Sequence, residues 1–187
     1  VYELAIIFME DGDFQKAYAE LDFLTKNKEA WDIDEKISLA KAQALFAIGK
    51  TDDALEEINK VIQKQSHLSL AHKILGEIYL SQNEDFLALE QFKICNDLDP
   101  KDLESILRIA KICLKLENED MAVRYYEKSL ELNTYMDVLK LLADMYYKSN
   151  KLEKSYGTHQ KILSVDPKNI AAHLGIADVL ARKEDYN

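Results

Sequence analysis

Residues of like size return along this chain at a nearly fixed spacing, and that return limits the fold more than any other feature. Small residues stand at Ala5, Ala42, Gly76, Ala110, Ala143 and Ala177, with steps of 37, 34, 34, 33 and 34. A second small series, Ala17, Ala54, Ala88, Ala122 and Ser155, steps by 37, 34, 34 and 33. Larger residues follow at Phe8, Leu45, Tyr79, Cys113, Tyr146 and Leu180, and again at Leu21, Ile58, Phe92, Tyr126 and His159. All four series share the long first step and the short fourth one, which insertions and deletions in turns produce and coincidence does not. Periods of this length mark stacked supersecondary units, each too small to bury its own apolar face.

Within one period the apolar spacing is that of two helices. Ile74, Leu75, Ile78 and Tyr79 form one stripe at offsets of one, three and four, and Ala88, Phe92 and Cys95 form the second. Ser81–Asp85 supplies turn and capping residues between them, and Asp99-Pro100 stops the second helix. Other turns are marked by Gly12-Asp13, Gly49-Lys50 and Asn150-Lys151, and another stop by Asp166-Pro167. A glycine at 76, inside a helix, costs about 1 kcal/mol against alanine. The compensation expected is a close helix crossing, with Gly76 facing Ala88 and with Tyr79 and Phe92 packed beside them.

Composition agrees with an all-helical chain: 5 Gly and 2 Pro in 187 residues leave few turn residues for a β-sandwich. A hydrophobic share of 48% argues against disorder, and a formal net charge of -10 argues against nucleic-acid binding by the surface as a whole. No apolar run reaches the length that spans a membrane. The opening VYELAIIFMEDGDF lacks a basic leader and a cleavage site and begins inside a helical pattern, so the chain is expected to be a piece of a longer polypeptide. Compartment stays open. Cys95 and Cys113 occupy apolar helical positions and are expected as buried thiols.

The spacing resembles the tetratricopeptide repeat, whose 34-residue pattern runs W-x2-L-G-x2-Y, then A-x3-F-x2-A and a closing P. Residues 72–100 match it at Leu75, Gly76, Tyr79, Ala88, Phe92 and Pro100, with Cys95 for the later alanine. The expected units are 1–34, 35–68, 69–102, 103–135, 136–169, and 170–187 as a first helix only. The family's Trp position holds Val1, Ser38, His72, Ile106, Leu139 and His173, and Lys41 stands where Leu is usual. The resemblance implies an all-α, right-handed superhelical solenoid of antiparallel helix pairs, about five repeats plus a lone C-terminal helix, in one segment over 1–187.

In that family the first helices of successive units line the inner, concave surface. By position, the inward residues expected first are Tyr2, Ile6, Met9, Leu39, Gln43, Phe46 and Leu70. The partner-binding groove proper is expected at Lys73, Ile74, Glu77, Leu107, Arg108, Lys111, Lys115, Lys140, Leu141, Asp144, Tyr147 and Lys148, with Glu104 and Asp137 beside them. Apolar anchors mixed with charge suit an extended peptide or a partner helix. Charge is uneven: residues 1–34 hold nine acids against three bases, whereas 136–169 hold four against six. The basic stripe Arg108, Lys111, Lys115, Lys140 and Lys148 is expected either to dock an acidic segment or to be an ordinary solvated face balanced by nearby acids. The carboxylate clamp that some members use for acidic chaperone tails is absent, since Glu77, Arg108, Asp137 and Leu141 fill its places after Lys73.

Catalytic chemistry is not expected. His67, His72, His159 and His173 form no metal-ligand spacing, and no phosphate-binding loop or nucleophile elbow occurs. His72 and His173 share one repeat position and so one structural role. The functional expectation is a protein-interaction scaffold without a cofactor or metal; the alternative is a recruiting segment of a larger enzyme. Self-association through 170–187, where Ile176, Val179 and Leu180 lack a covering second helix, is a further expectation.

Overall fold

A computed structural model describes residues 1–27 and 35–184. The ends of the first and last expected units therefore lie outside the described residues. Those described form eleven α-helices and no strand. They are α1 (Tyr2–Glu10), α2 (Phe14–Lys26), α3 (Glu35–Ala47), α4 (Thr51–Lys64), α5 (Ser69–Ser81) and α6 (Asp85–Leu98), followed by α7 (Leu103–Lys115), α8 (Glu119–Leu132), α9 (Met136–Lys148), α10 (Leu152–Val165) and α11 (Ile170–Glu184). The long first step of every series falls between α2 and α3, where eight residues separate the helices. The short fourth step falls between α8 and α9, where three do.

A positive-φ residue closes the first helix of every pair: Gly12 at +77°, Gly49 at +81°, Asn83 at 61°, Glu117 at 59° and Asn150 at 58°. These positions step by 37, 34, 34 and 33, as the packing series do. The next residue's amide returns to the carbonyl five back, as in Asp13 to Phe8 (2.8 Å), Glu84 to Tyr79 (2.9 Å) and Lys151 to Tyr146 (2.8 Å). This is the Schellman closure, which satisfies carbonyls that a helix end otherwise strands. Asp13 and Asn118 then cap the following helix through their side chains, accepting from the amides of Lys16 and Met121.

Two compact units, Val1–Ser105 and Ile106–Asn187, divide the chain. In the first, α3 contributes to two core clusters. Ile37, Ala40 and Ala44 pack with Ala5, Ala17 and Leu21 of the preceding pair, while Leu39, Ala42 and Leu45 pack with Ala54, Ile58 and Val61 of α4 and with α5. A helix covered on two sides must be apolar on two sides, and α3 is. The close crossing expected at Gly76 has a specific cause: a methyl built there would stand 2.8 Å from the Phe92 ring, which is fully buried. The residue that requires glycine is thus Phe92, one turn beyond Ala88.

In the second unit the two small series meet directly, with the Ser155 hydroxyl donating to the Ala143 carbonyl at 3.0 Å. α11 packs by Ala172 and Val179, so of the three residues expected without cover Val179 is fully buried and Ile176 half-buried, and only Leu180 is exposed; Arg182 of the same helix donates to the Tyr147 carbonyl at the end of α9 (3.1 Å). Its opposite face leaves Ile170, Leu174 and Leu180 at 75%, 60% and 45% exposure. Cys95 and Cys113 are buried free thiols. His72 and His173 each bond through Nε2 to the carbonyl six residues earlier, of Ser66 (3.0 Å) and of Pro167 (3.1 Å), but His72 is buried and His173 is exposed.

Candidate functional site

The expected groove residues fall on first helices, three in the first unit and nine on α7 and α9 in the second. In the first unit they are mostly engaged. Ile74 is only 6% exposed and belongs to the α3–α4–α5 core cluster, so its side chain packs inward. Lys73 is half-buried, 2.6 Å from a Glu104 carboxylate oxygen and 3.3 Å from Asp102. Burial pulls its ammonium pKa down, but Glu104 and Asp102 outweigh that and leave it raised. Asp102 also accepts from the Ser105 hydroxyl at 2.6 Å, and Ser105 touches the Cys95 sulfur at 3.1 Å. This network ties α5 and α6 to the start of α7. Glu77 is half-buried, with one carboxylate oxygen enclosed.

In the second unit the charged members reach solvent. Lys111, Lys115, Lys140, Asp144 and Lys148 are exposed, whereas Leu107, Arg108, Leu141 and Tyr147 are half-buried beside them. Lys140 stands 3.8 Å from Asp137, an exposed contact of small energy. The Tyr147 ring lies 4.8 Å under the Arg182 guanidinium of α11. The Tyr146 hydroxyl donates to Glu127, and burial followed by that carboxylate pushes the phenol's pKa up.

A second arrangement joins residues that the sequence pattern leaves unconnected. A cleft of about 400 Å³ opens between α2, α3 and α4, lined by Asp22, Thr25, Lys26, Glu35, Ser38, Lys41, Glu57, Lys60, Val61 and Lys64. Another of about 360 Å³ lies between α8, α9 and α10, lined by Glu127, Leu130, Glu131, Leu139, Leu142, Tyr146, Thr158 and Lys161. The two are the same repeat position: counting back three units carries Glu127 to Asp22, Leu130 to Thr25, Leu139 to Ser38, Leu142 to Lys41 and Lys161 to Lys60. The leucine floor of one is replaced by threonine, serine and lysine in the other. Lys41, 14% exposed, donates at 3.0 Å both to Asp22 and to the Thr25 hydroxyl. Asp22 also pairs with Lys26 at 2.7 Å, and the bonds from Lys26 and then Lys41 hold its carboxyl below the usual range. The one signal in the sequence was Lys41 in a leucine position.

Among the described residues no cluster of three His, Cys, Asp or Glu could hold a metal ion, and no helix is long and apolar enough to cross a membrane.

Helical hairpins of this length, closed by one turn geometry and packed in series, define a class of repeat protein. Residues 103–135 match the family model of the tetratricopeptide repeat, the family that the chain's spacing resembles throughout. The chain is 26% identical over 139 residues to tetratricopeptide repeat protein 37 of Xenopus laevis, covering 74% of this chain and 9% of that protein. It is 27% identical over 96 residues to a UDP-N-acetylglucosamine–peptide N-acetylglucosaminyltransferase of Giardia intestinalis, covering 51% of this chain and 6% of that one. The chain thus spans less than a tenth of the curated relatives it matches. Among solved structures, the C-terminal part of a TPR repeat-containing protein from Cytophaga hutchinsonii superposes with a TM-score of 0.77 at 21% identity, covering 99% of this chain and 72% of that one. The all-α repeat fold expected from the sequence is the fold observed.

Proposed function

We propose that this chain is an interaction scaffold whose first helices hold a peptide or helical segment of a partner protein and so help to assemble a multiprotein complex. The tetratricopeptide-repeat fold generally serves protein–protein interaction and complex assembly. The observation that carries the finer reading is on α7 and α9, where exposed Lys111, Lys115, Lys140 and Lys148 border half-buried Leu107, Leu141 and Tyr147. Apolar contacts rimmed by like charge suit a segment with apolar anchors and acidic flanks. Reversing Arg108 and Lys111 to Glu is expected to weaken capture of the partner by the intact protein and to flatten its salt dependence. Binding unchanged by that pair ends the assignment to this stripe.

The alternative, a recruiting segment of a larger enzyme, is not favoured. Self-association through α11 rests on its exposed Ile170, Leu174 and Leu180. A strictly monomeric mass by light scattering at high concentration retires it.

A further inference from the structure

We propose that α11 pairs antiparallel with α11 of a second copy of this chain, the two helices crossing at Ala177 so that each supplies the neighbour the other lacks. The proposal rests on the self-association reading above and fixes its geometry. Ala177 ends the series of small residues whose other members, Ala5, Ala42, Gly76, Ala110 and Ala143, are all buried. In the hairpin before α11 the second helix meets that position directly, the Ser155 hydroxyl donating to the Ala143 carbonyl. Leu180 continues the series of Phe8, Leu45, Tyr79, Cys113 and Tyr146, each of them buried or half-buried. Ala177 and Leu180 are both exposed. α11 thus presents one side of a crossing that a second helix completes in the preceding hairpins.

The exposed residues of α11 identify the helix that fits. Ile170, Leu174, Ala177, Leu180 and Ala181 follow at offsets of four, three, three and one, which puts them on one stripe. That stripe reads alike from both ends around Ala177, with Leu three residues before it and three after, at 174 and 180. A two-fold contact requires this, because residue i touches j of the other copy and j touches i in return. An antiparallel pair centred on Ala177 sets small against small, as Ala143 and Ser155 do, and sets Leu174 of each copy against Leu180 of the other. Charge agrees. The cations of the last turn are held on other helices, Arg182 over the Tyr147 ring and Lys183 2.6 Å from Glu153. Residues 170–187 hold three acids and two bases, so two copies meet here close to neutral. The exposed Leu4 and Ile7 of α1 offer no equivalent, since Glu3, Glu10 and Asp11 beside them would meet their own kind, and like charges brought together oppose a contact.

The test is sedimentation velocity of the full chain across a wide range of concentration. A reversible equilibrium of monomer and dimer is expected, since one helix from each copy makes a small interface. Ala177 meets its own counterpart on the two-fold axis. Ala177→Lys alone and Ala177→Glu alone are therefore each expected to lose the dimer, and an equimolar mixture of the two to regain it as a mixed pair. Both substitutions fall on an exposed helical position and replace alanine by good helix formers, so unchanged circular dichroism is expected of each variant. A dimer that survives in either single variant, or that is lost in both and not regained on mixing, overturns the crossing at Ala177 while self-association by another contact stands. A monomer at every concentration overturns the proposal and the self-association reading together, and gives this face to a helix other than α11.

Discussion

At Glu117 the backbone takes φ 59°, a conformation that costs an L residue about 1–2 kcal/mol and that glycine adopts freely. The same position in other pairs is Gly12, Gly49, Asn83 and Asn150, so Glu117 alone has neither glycine's freedom nor asparagine's tolerance. Glu117→Gly is therefore expected to stabilise by about 0.5–1 kcal/mol after the entropy of the added glycine is subtracted, read as a higher denaturant midpoint at unchanged slope. Gly76 carries the opposite argument. Alanine there gains about 1 kcal/mol of helix propensity, but its methyl must displace a fully buried Phe92 ring, and overpacking costs about 1–3 kcal/mol. Gly76→Ala is expected to melt below the parent. The packing residues were legible in the sequence because the core preserves their size. The turn residues were legible only in part, because what recurs there is a dihedral angle that Gly, Asn and Glu all reach.

A helix in this fold is defined by how many neighbours it serves. α3 packs on both sides and is apolar on both, whereas α11 packs on one and leaves Ile170, Leu174 and Leu180 to solvent. Enlarging a shared small position such as the fully buried Ala122 to Leu is expected to cost about 1–3 kcal/mol, read by thermal melting. The α10–α11 contact has a pH term. His159 is buried, its Nδ1 has no hydrogen-bond partner, and Gly175 of α11 lies so close that a methyl there would run into the ring. Burial pushes its pKa down, against the opposing pull of Asp144 on α9 and Asp178 on α11. With a folded pKa below the ordinary value near ~6.5, the unfolded chain takes up the proton first, so this contribution is lost as pH falls through that value. His159→Leu, the residue type at Leu21, is expected to flatten the fall in melting temperature between neutral and mildly acidic pH.

For the molecule as a whole, stability in a repeat array is a sum of unit and nearest-neighbour terms. Deleting α11 removes the burial of Ala172 and Val179 and the Arg182 bond to Tyr147. Amide exchange is expected to quicken first in α9 and α10 and least in α1 and α2. The register and the helix pairs follow from the period, so the fold could be read before the structure. The site could not be read as completely: identical positions differ in charge from unit to unit, and period alone does not say that Ile74 turns inward or that Lys73 is already held by Glu104. The geometry of the five turns repeats while their side chains do not, so the connecting segments are exchangeable parts. Any one of them could be grafted onto another hairpin, altering what that corner shows to solvent and leaving the interior undisturbed.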